Sequence, residues 1–501
     1  MEKSGASLVP NKIARYLGKS SEEFTRADII KYIRDNNIEA INFRHLGGDG
    51  RLKTLNFVIT SLSQIEQILA SGERVDGSSL FSYIDSSSSD LYIVPRYRSA
   101  FVNPFSSVPA IDILCSYYTK EGQPLGSSPE NILSKAHESL KKSTGMSFEA
   151  MGELEYYVIA PKQSLYPASS QRGYQESAPF CRWESLRYEA MQYIAQCGGK
   201  IKYGHSEVGH IYGEENEMEQ NEIEFTPVNV EDAADQLVVA KWVLRMLGKR
   251  YGVNISFAPK ILVGHAGSGL HFHTRIMKDG TNVMVKGGAL SDVAKKAIAG
   301  YLTLAPSVTA FANTIPLSFL RLVPHQEAPT NICWGDRNRS VLVRVPLGWL
   351  GINNMAKDAN PMENEDSPDF GSNQTVEFRS PDGSANIHMV LAGLCVAARH
   401  GLTMENALDV ANKLYVGVNI FAPENKELQE SLPQLPDSCY AAADSLLKDR
   451  ALYEADGVFP PTVIDGMVKI LKSYNDKDLS QRYYGNGPAI QKLVDEFLHH
   501  S

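Results

Sequence analysis

Residues 151–160 read MGELEYYVIA, and no other stretch limits the fold of this chain so strongly. Aromatic and β-branched residues crowd it and no turn residue follows Gly152, so a strand is expected. Successive side chains of a strand point to opposite faces. Glu153 and Glu155 therefore share a face with Tyr157, while Leu154, Tyr156 and Val158 line the other. The same spacing returns as Glu222 and Glu224 in QNEIEF, His271 and His273 in GLHFHTR, Glu377 and Arg379 in TVEFRS, and Arg337 and Arg339 in DRNRSVLVRV. One such pair suits the wet face of an antiparallel sheet. As a set they are almost confined to Glu, His and Arg, the residues that bind hard cations and phosphates, so they are expected to converge on a shared cavity.

Composition narrows the partners. The chain has 501 residues, 43% hydrophobic and 21% charged, which suits a globular protein of two or more domains. A net charge of -9 without any dominant Lys/Arg run argues against nucleic acid and for small molecules. Six scattered cysteines (Cys115, Cys181, Cys197, Cys333, Cys395, Cys439) include no CxxC pair and fit reduced thiols. The opening MEKSGASLVPNK lacks an apolar signal core, and the longest apolar run, MVLAGLCVAA at 389–398, is too short to span a bilayer. A cytoplasmic protein with no membrane or nucleic-acid partner is expected.

Residues 1–20 read as a tail. A small α+β unit is expected over 21–125, from the helical FTRADIIKYIRDNNI and the strand-like AINFRHLGG and LKTLNFVIT. The boundary falls at SSPENILSKAHESLKKSTG, where Ser127 and Glu130 have capping-box spacing. The larger unit, 126–501, alternates helices such as NVEDAADQLVVAKWVLRMLGKRYG with short strands and ends in helices including GPAIQKLVDEFLHHS. Residues 355–374, rich in acid, Asn, Pro and Gly, read as a surface loop.

Carboxylates with imidazoles suit Mg²⁺ or Mn²⁺ better than a thiolate-preferring metal, and clustered arginines suit phosphate or a substrate carboxylate. Together they describe metal-assisted phosphoryl transfer. No Walker GxxxxGK[ST], HExxH or GxSxG motif is present, so a nucleotide would need another fold.

In order along the chain stand VDGSS, GELEYYV, HSEV, QNE, GSGLHFH, RLVPHQEAP, RNRSVLVRVP, VEFRSPDGSAN and DGVF. This succession resembles type I glutamine synthetases from about residue 25 onward. The resemblance implies an α+β chain in which a small N-terminal β-grasp-like domain precedes a large catalytic domain with a curved antiparallel sheet flanked by helices. It implies an ATP-dependent ligase that makes glutamine from glutamate and ammonia through γ-glutamyl phosphate, using two divalent ions and ATP. By resemblance Glu155, Glu207 and Glu222 hold one ion, and Glu153, His271 and Glu377 the other. Arg321, Arg379 and Gly267 would hold glutamate. Arg339 and Arg344 would hold the ATP phosphates, with His273 near the nucleotide. Asp76, Glu327 and Arg339 are the expected catalytic groups, Glu327 sitting on a closing flap. Asp76 and Ser79, with Tyr174 and Glu207, would form the ammonium pocket. Asp76 would come from a neighbouring subunit of a homo-oligomer, a dodecamer of two hexameric rings.

Some residues carry a plainer expectation. Glu224 reads as a solvated or salt-bridged strand residue, His205 and His210 as surface histidines, Arg337 as structural, Asp90 as an ammonium-pocket acid or a turn cap, and Tyr415, near where the resemblance places an adenylylation site in some members, as either that site or a buried helix tyrosine. Departures from the resemblance are Ala266 in place of Asn, Ser372 and Thr375 in place of basic residues, and Arg275 in place of a small hydroxyl residue. They keep two rivals open: a γ-glutamyl ligase using an amine or polyamine, and a non-catalytic relative.

Overall fold

The computed structural model describes residues 8–323, 329–348, 354–366, 373–483 and 485–500. The N-terminal unit is a six-stranded sheet of β1 (Ala40–Leu46), β2 (Leu52–Val58), β3 (Glu73–Asp76), β4 (Asp90–Pro95), β5 (Phe101–Val102) and β6 (Ala110–Tyr118). Their order is β2-β1-β6-β4-β3, with β5 also on β6; β1 and β6 run parallel and the other pairs antiparallel. The helices Arg26–Asp35 and Leu62–Ser71 are amphipathic, and their Ile29, Ile33, Ile65 and Leu69 pack with Ile41, Phe43 and Ile113 of the sheet. Thr25 caps the first of them in a capping box, its hydroxyl accepting from Asp28 N while the Asp28 carboxylate accepts from Thr25 N at 2.8 Å. Lys12–Leu17 also forms a helix, capped by Asn11, and its Ile13 is fully buried in the same core. The stretch expected as a tail thus supplies core, because Ile13 and Ala14 bury in it while Val9 and Leu17 pack against its edge.

The larger unit is built on a ten-stranded sheet. Its strands are β7 (Ser147–Pro161), β8 (Ile201–Tyr212), β9 (Asn216–Phe225), β10 (Val228–Asn229), β11 (Asn254–Ser256), β12 (Leu270–Lys278) and β13 (Thr281–Asn282), then, after a separate hairpin of β14 (Val285–Lys286) and β15 (Ala289–Leu290), β16 (Trp334–Asp336), β17 (Val343–Val345) and β18 (Val376–Phe378). The main path runs β16-β17-β18-β12-β7-β9-β8, antiparallel except for β16 with β17. Leu154, Tyr156 and Val158 of β7 enter the main core, which also takes residues of the helices Val230–Tyr251, Asp292–Ala312 and Ile387–Thr403. Helix and strand approach closely at Gly152, where a Cβ would stand 2.8 Å from the Leu237 methyls. The opposite face carries Glu153 and Glu155, while Tyr157 and Ile159 farther along it enter a smaller apolar cluster.

Two local expectations change. The helix Pro129–Thr144 is capped at Ser128 rather than Ser127, and Glu130 accepts from Ser128 Oγ at 2.8 Å and from Tyr117 N at 2.9 Å, so it ties the helix to β6 instead of closing a capping box. Within the acidic stretch, Met355–Ala359 forms a short helix with no buried residue, while 367–372 lie outside the described residues. Among the described residues no single helix is long and apolar enough to cross a membrane.

Candidate active site

Strand order places the charged pairs in a row. Across the sheet, Arg344 of β17 stands opposite Glu377 of β18, Glu377 opposite His273 of β12, His271 opposite Glu153 of β7, Glu153 opposite Glu224 of β9, Glu155 opposite Glu222, and Glu222 opposite His205 of β8. These residues line one open cavity of about 1840 Å³, together with Glu207, Tyr174, Gly267, Arg321, Arg339 and Arg379. Two carboxylates directly opposed on neighbouring strands repel, at a cost of about 0.2–1 kcal/mol per pair. Here two such pairs sit side by side, Glu153 with Glu224 and Glu155 with Glu222.

Geometry and charge agree on what the row does. His271 Nδ1 lies 3.0 Å from Glu153 Oε2 and 3.4 Å from Glu377 Oε1, and its Nε2 lies 3.8 Å from Glu155 Oε1. His273 Nε2 lies 2.8 Å from Glu153 Oε1. The ligand atoms of Glu153, His273 and Glu377 fall within 4.8 Å of one another, and so do those of His205, Glu207 and Glu222. Burial, with Glu153, Glu155 and Glu207 nearby, pushes the Glu222 carboxyl well above its usual range. Burial also raises Glu153, but the imidazoles of His273 and His271 outweigh it and hold that carboxyl well below. Burial lowers His271, yet hydrogen bonds to Glu153 and Glu377 lift it to about 9. The site attracts positive charge.

Arginines close one end. Arg344 Nη1 donates to Glu377 Oε2 at 2.8 Å, and Arg379 Nε to Glu377 Oε1 at 2.9 Å. Arg321 ends the short helix Ser318–Arg321, only 4% exposed, donating to Ser380 O at 2.7 Å and touching His271 Nε2 at 3.3 Å. The backbone beside it must be glycine: a Cβ on Gly267 would lie 2.4 Å from Pro259 O and 3.0 Å from Arg321 Cγ. The neighbouring Ala266 offers no side-chain amide, and the loop is held through its backbone, Ala266 N donating to Gln171 Oε1 at 2.7 Å and Ala266 O accepting from Tyr157 OH at 2.8 Å. Gln220 donates to Glu155 Oε2 at 3.0 Å, and Gly269 N to the same oxygen at 2.8 Å, which aims that carboxylate.

Other expected residues fall elsewhere. Arg337 and Arg339 lie on the connection from β16 to β17 rather than on a strand, Arg337 with a φ of 55°, though both border the cavity. Asp76 and Ser79 belong to the N-terminal unit and are not in the cavity wall; Asp76 accepts from Ser78 and Ser79 hydroxyls at 2.7 and 2.6 Å. Asp90 stands opposite Asp76 on β4. Glu327 and Ser372 lie outside the described residues. His210 is buried and outside the cavity lining. Tyr415 follows the helix Ala407–Lys413, is 46% exposed and packs its ring on Trp334, so it is neither buried nor helical.

Two plainer expectations miss part of the site. His205 faces Glu207 and Glu222 at 3.8 and 3.6 Å and meets the Tyr174 ring edge-on. Its signal was the same two-residue spacing, His205 to Glu207. Glu224 is indeed salt-bridged, to Lys202 at 2.5 Å, but it is 2% exposed and inside the cavity. Thr375 hydrogen-bonds His273 Nδ1 at 2.9 Å, and Arg275 pairs with Glu149 at 2.6 Å.

The model of the glutamine synthetase catalytic domain matches residues 126–482, and that of the glutamine synthetase β-grasp domain matches residues 37–120. The chain is similar to glutamine synthetase of Clostridium saccharobutylicum, 28% identical over 445 residues, 87% of this chain and 92% of that protein. It is also similar to that of Pyrococcus furiosus, 29% identical over 397 residues, covering 79% and 82%. Among solved structures, Plasmodium falciparum glutamine synthetase superposes with a TM-score of 0.73 at 19% identity over 94% of this chain and 100% of that one. Apo GmaS superposes at 0.69 and 18% identity, over 91% and 97%. At these identities the structural likeness shows the fold, a β-grasp unit followed by a curled sheet with helices on one face.

Proposed function

Because the chain belongs to the glutamine synthetase family, we propose that it is an ATP-dependent ligase joining ammonia to the γ-carboxylate of glutamate through γ-glutamyl phosphate. The observation that carries this reading is the doubled carboxylate pair, Glu153 with Glu224 and Glu155 with Glu222, flanked by His271, Glu377 and the arginines in one cavity.

The donor set fits divalent ions, since it holds only carboxylate oxygens and imidazole nitrogens, and Glu222 sits among carboxylates that repel it. Glu155, Glu207 and Glu222 would hold one Mg²⁺ or Mn²⁺, with His205 beside them, and Glu153, His271 and Glu377 the other. When bound, such ions neutralise charge on the transferring phosphoryl group. The chain's own residues do the rest. A carboxylate is a poor acyl donor, so the γ-carboxylate of glutamate must first accept the ATP γ-phosphate. Arg321 and Arg379, with the Gly267 loop, orient the glutamate; Arg339 and Arg344 steady the phosphates, and His273 borders the nucleotide. Ammonium must lose a proton before it attacks. Tyr174 and Glu207 border its pocket, and Glu327, outside the described residues, is the proposed proton acceptor. Asp76 and Ser79 are absent from the wall of their own chain's cavity, and the reading has them serve a neighbour's site in a dodecamer of two hexameric rings.

A second reading has its own support. Ala266 leaves the glutamate loop without a side-chain amide, so a larger amine is the rival acceptor. Phosphate release from ATP, with glutamate and Mg²⁺ and with ammonia, methylamine or spermidine in turn, tests both. Ammonia-dependent turnover supports the ligase proposed; turnover with an amine alone transfers it to the rival; a well-assembled protein without turnover overturns both.

A further inference from the structure

Beside the two clusters already described, the row of acids forms a third: ligand atoms of Glu153, Glu222 and Glu224 also fall within 4.8 Å of one another. Glu224 is 2% exposed and stands directly opposite Glu153 across the strands. Carboxylates so placed repel one another unless positive charge comes between them. In this cluster the chain itself supplies the charge, since Lys202 Nζ lies 2.5 Å from Glu224 Oε1.

Lys202 reaches that position because β8 is irregular there. Side chains alternate along a strand, so Tyr203, His205 and Glu207 share the cavity face and a regular β8 would turn Lys202 to the other. Against β9, however, Ile201 pairs with Phe225 and Tyr203 with Glu224: two steps along β8 match one along β9, and Lys202 is the extra residue. Such a bulge bends its strand and re-aims a side chain, and bulges are over-represented beside active sites. Lys202 and Tyr203, though consecutive, both line the main cavity. The ammonium also lies 5.0 Å from the Tyr203 ring centre, a cation–π contact that helps hold it there. With 46% of its side chain still in solvent, Lys202 gives up little hydration to neutralise a carboxylate that has almost none.

We propose that Lys202 is a built-in counter-cation: its ammonium takes the place that a third divalent ion would have among Glu153, Glu222 and Glu224, so that the row binds two ions and not three. Lys202 is thus a positioning residue. By keeping Glu224 occupied it leaves Glu153 to one ion and Glu222 to the other, where a further ion shared by both would draw them away from their own. The proposal rests on the reading of the row as a divalent-ion site and is independent of which amine is the acceptor.

Manganese bound per chain tests it without turnover, counted from the electron paramagnetic resonance signal of the free ion as full-length protein is titrated. The wild type is expected to saturate at two ions. Lys202→Met is expected to take a third, more weakly than the first two because it enters last against their charge. Lys202→Arg restores the charge and is expected to return the count to two. So is Lys202→Met combined with Glu224→Gln, which removes the carboxylate the third ion needs. Lys202→Gln keeps a hydrogen-bond donor for Glu224 and stands in where the methionine variant does not fold; it too is expected to take three. A lysine with a merely structural role would lower the melting temperature when replaced and leave the count unchanged. Two ions in the wild type, the methionine variant and the glutamine variant alike overturn the proposal while leaving the two-ion reading in place. A third ion in the wild type, or one retained in the double variant, overturns it as well. Failure of the wild type to bind any ion overturns both the proposal and the reading it rests on.

Discussion

Glu222 carries two opposing duties. It faces Glu155 across two strands and lies among carboxylates that raise its proton affinity, so it destabilises the metal-free protein while completing the proposed cation site. Glu222→Gln is therefore expected to melt at or slightly above the wild type without divalent ions, a gain of about 0.2–1 kcal/mol. The rise in melting temperature caused by Mg²⁺ or Mn²⁺ should then disappear, along with turnover; calorimetry with and without the ion checks both signs. Gly267 makes a different point. Its missing side chain lets Arg321 lie against the loop, so Gly267→Ala should cost about 1–3 kcal/mol of stability. The glutamate KM should rise more than kcat falls, which steady-state kinetics will separate. At this scale the paired acids and His271 were legible as alternating letters; His205 carried the same spacing to Glu207, but spacing alone does not tell a histidine that meets solvent from one that meets two carboxylates.

The helix Arg26–Asp35 shows how one cap sets the response of an element to pH. Hydrogen bonds from Lys19 first and then Thr25 hold the Asp28 carboxyl at about 2, below its ordinary 3.8. A carboxyl depressed on folding contributes stability that is complete above the unfolded value and is lost as pH falls toward the folded one. Asp28→Asn is thus expected to cost about 1 kcal/mol at pH 7, and the gap from the wild type should close between pH 4 and pH 2; urea melts across that range measure it. Elements were legible where pattern and length agreed, as in Val230–Tyr251 and β7. They were not where one residue decided: Ser128 rather than Ser127 stands at the N-cap of the helix Pro129–Thr144, and Glu130 bonds Tyr117 N of a strand brought alongside instead of closing a capping box. Arg337 and Arg339 have strand spacing but sit on a connection, because β16 ends at Asp336.

Over the whole molecule, the two units are joined by Arg96, which donates to both Asp235 oxygens at 2.6 and 3.0 Å, with His388 Nε2 3.1 Å from the same carboxylate. Removing one partner leaves a desolvated charge, so Asp235→Ala is expected to lose about 3–5 kcal/mol, seen as a lower denaturation midpoint. The proposed assembly has its own test. Asp76→Asn and Glu327→Gln subunits, each inactive alone, should recover part of the activity when refolded together, because some sites would then receive both residues intact. No recovery in mixed, fully assembled particles counts against a shared site.

Alternation of polar and apolar letters, read alone, determined which face of β7, β9 and β12 carries the chemistry, since side-chain direction along a strand is a local property. Motif order determined the family. The tertiary structure decided which strands are neighbours, and with them the opposition of Glu155 to Glu222, the entry of His205 and Glu224 into the cavity, the docking of Ile13 and the bulge that turns Lys202 toward Glu224. Those depend on pairings between residues far apart in the chain, whose energies no short window of sequence contains.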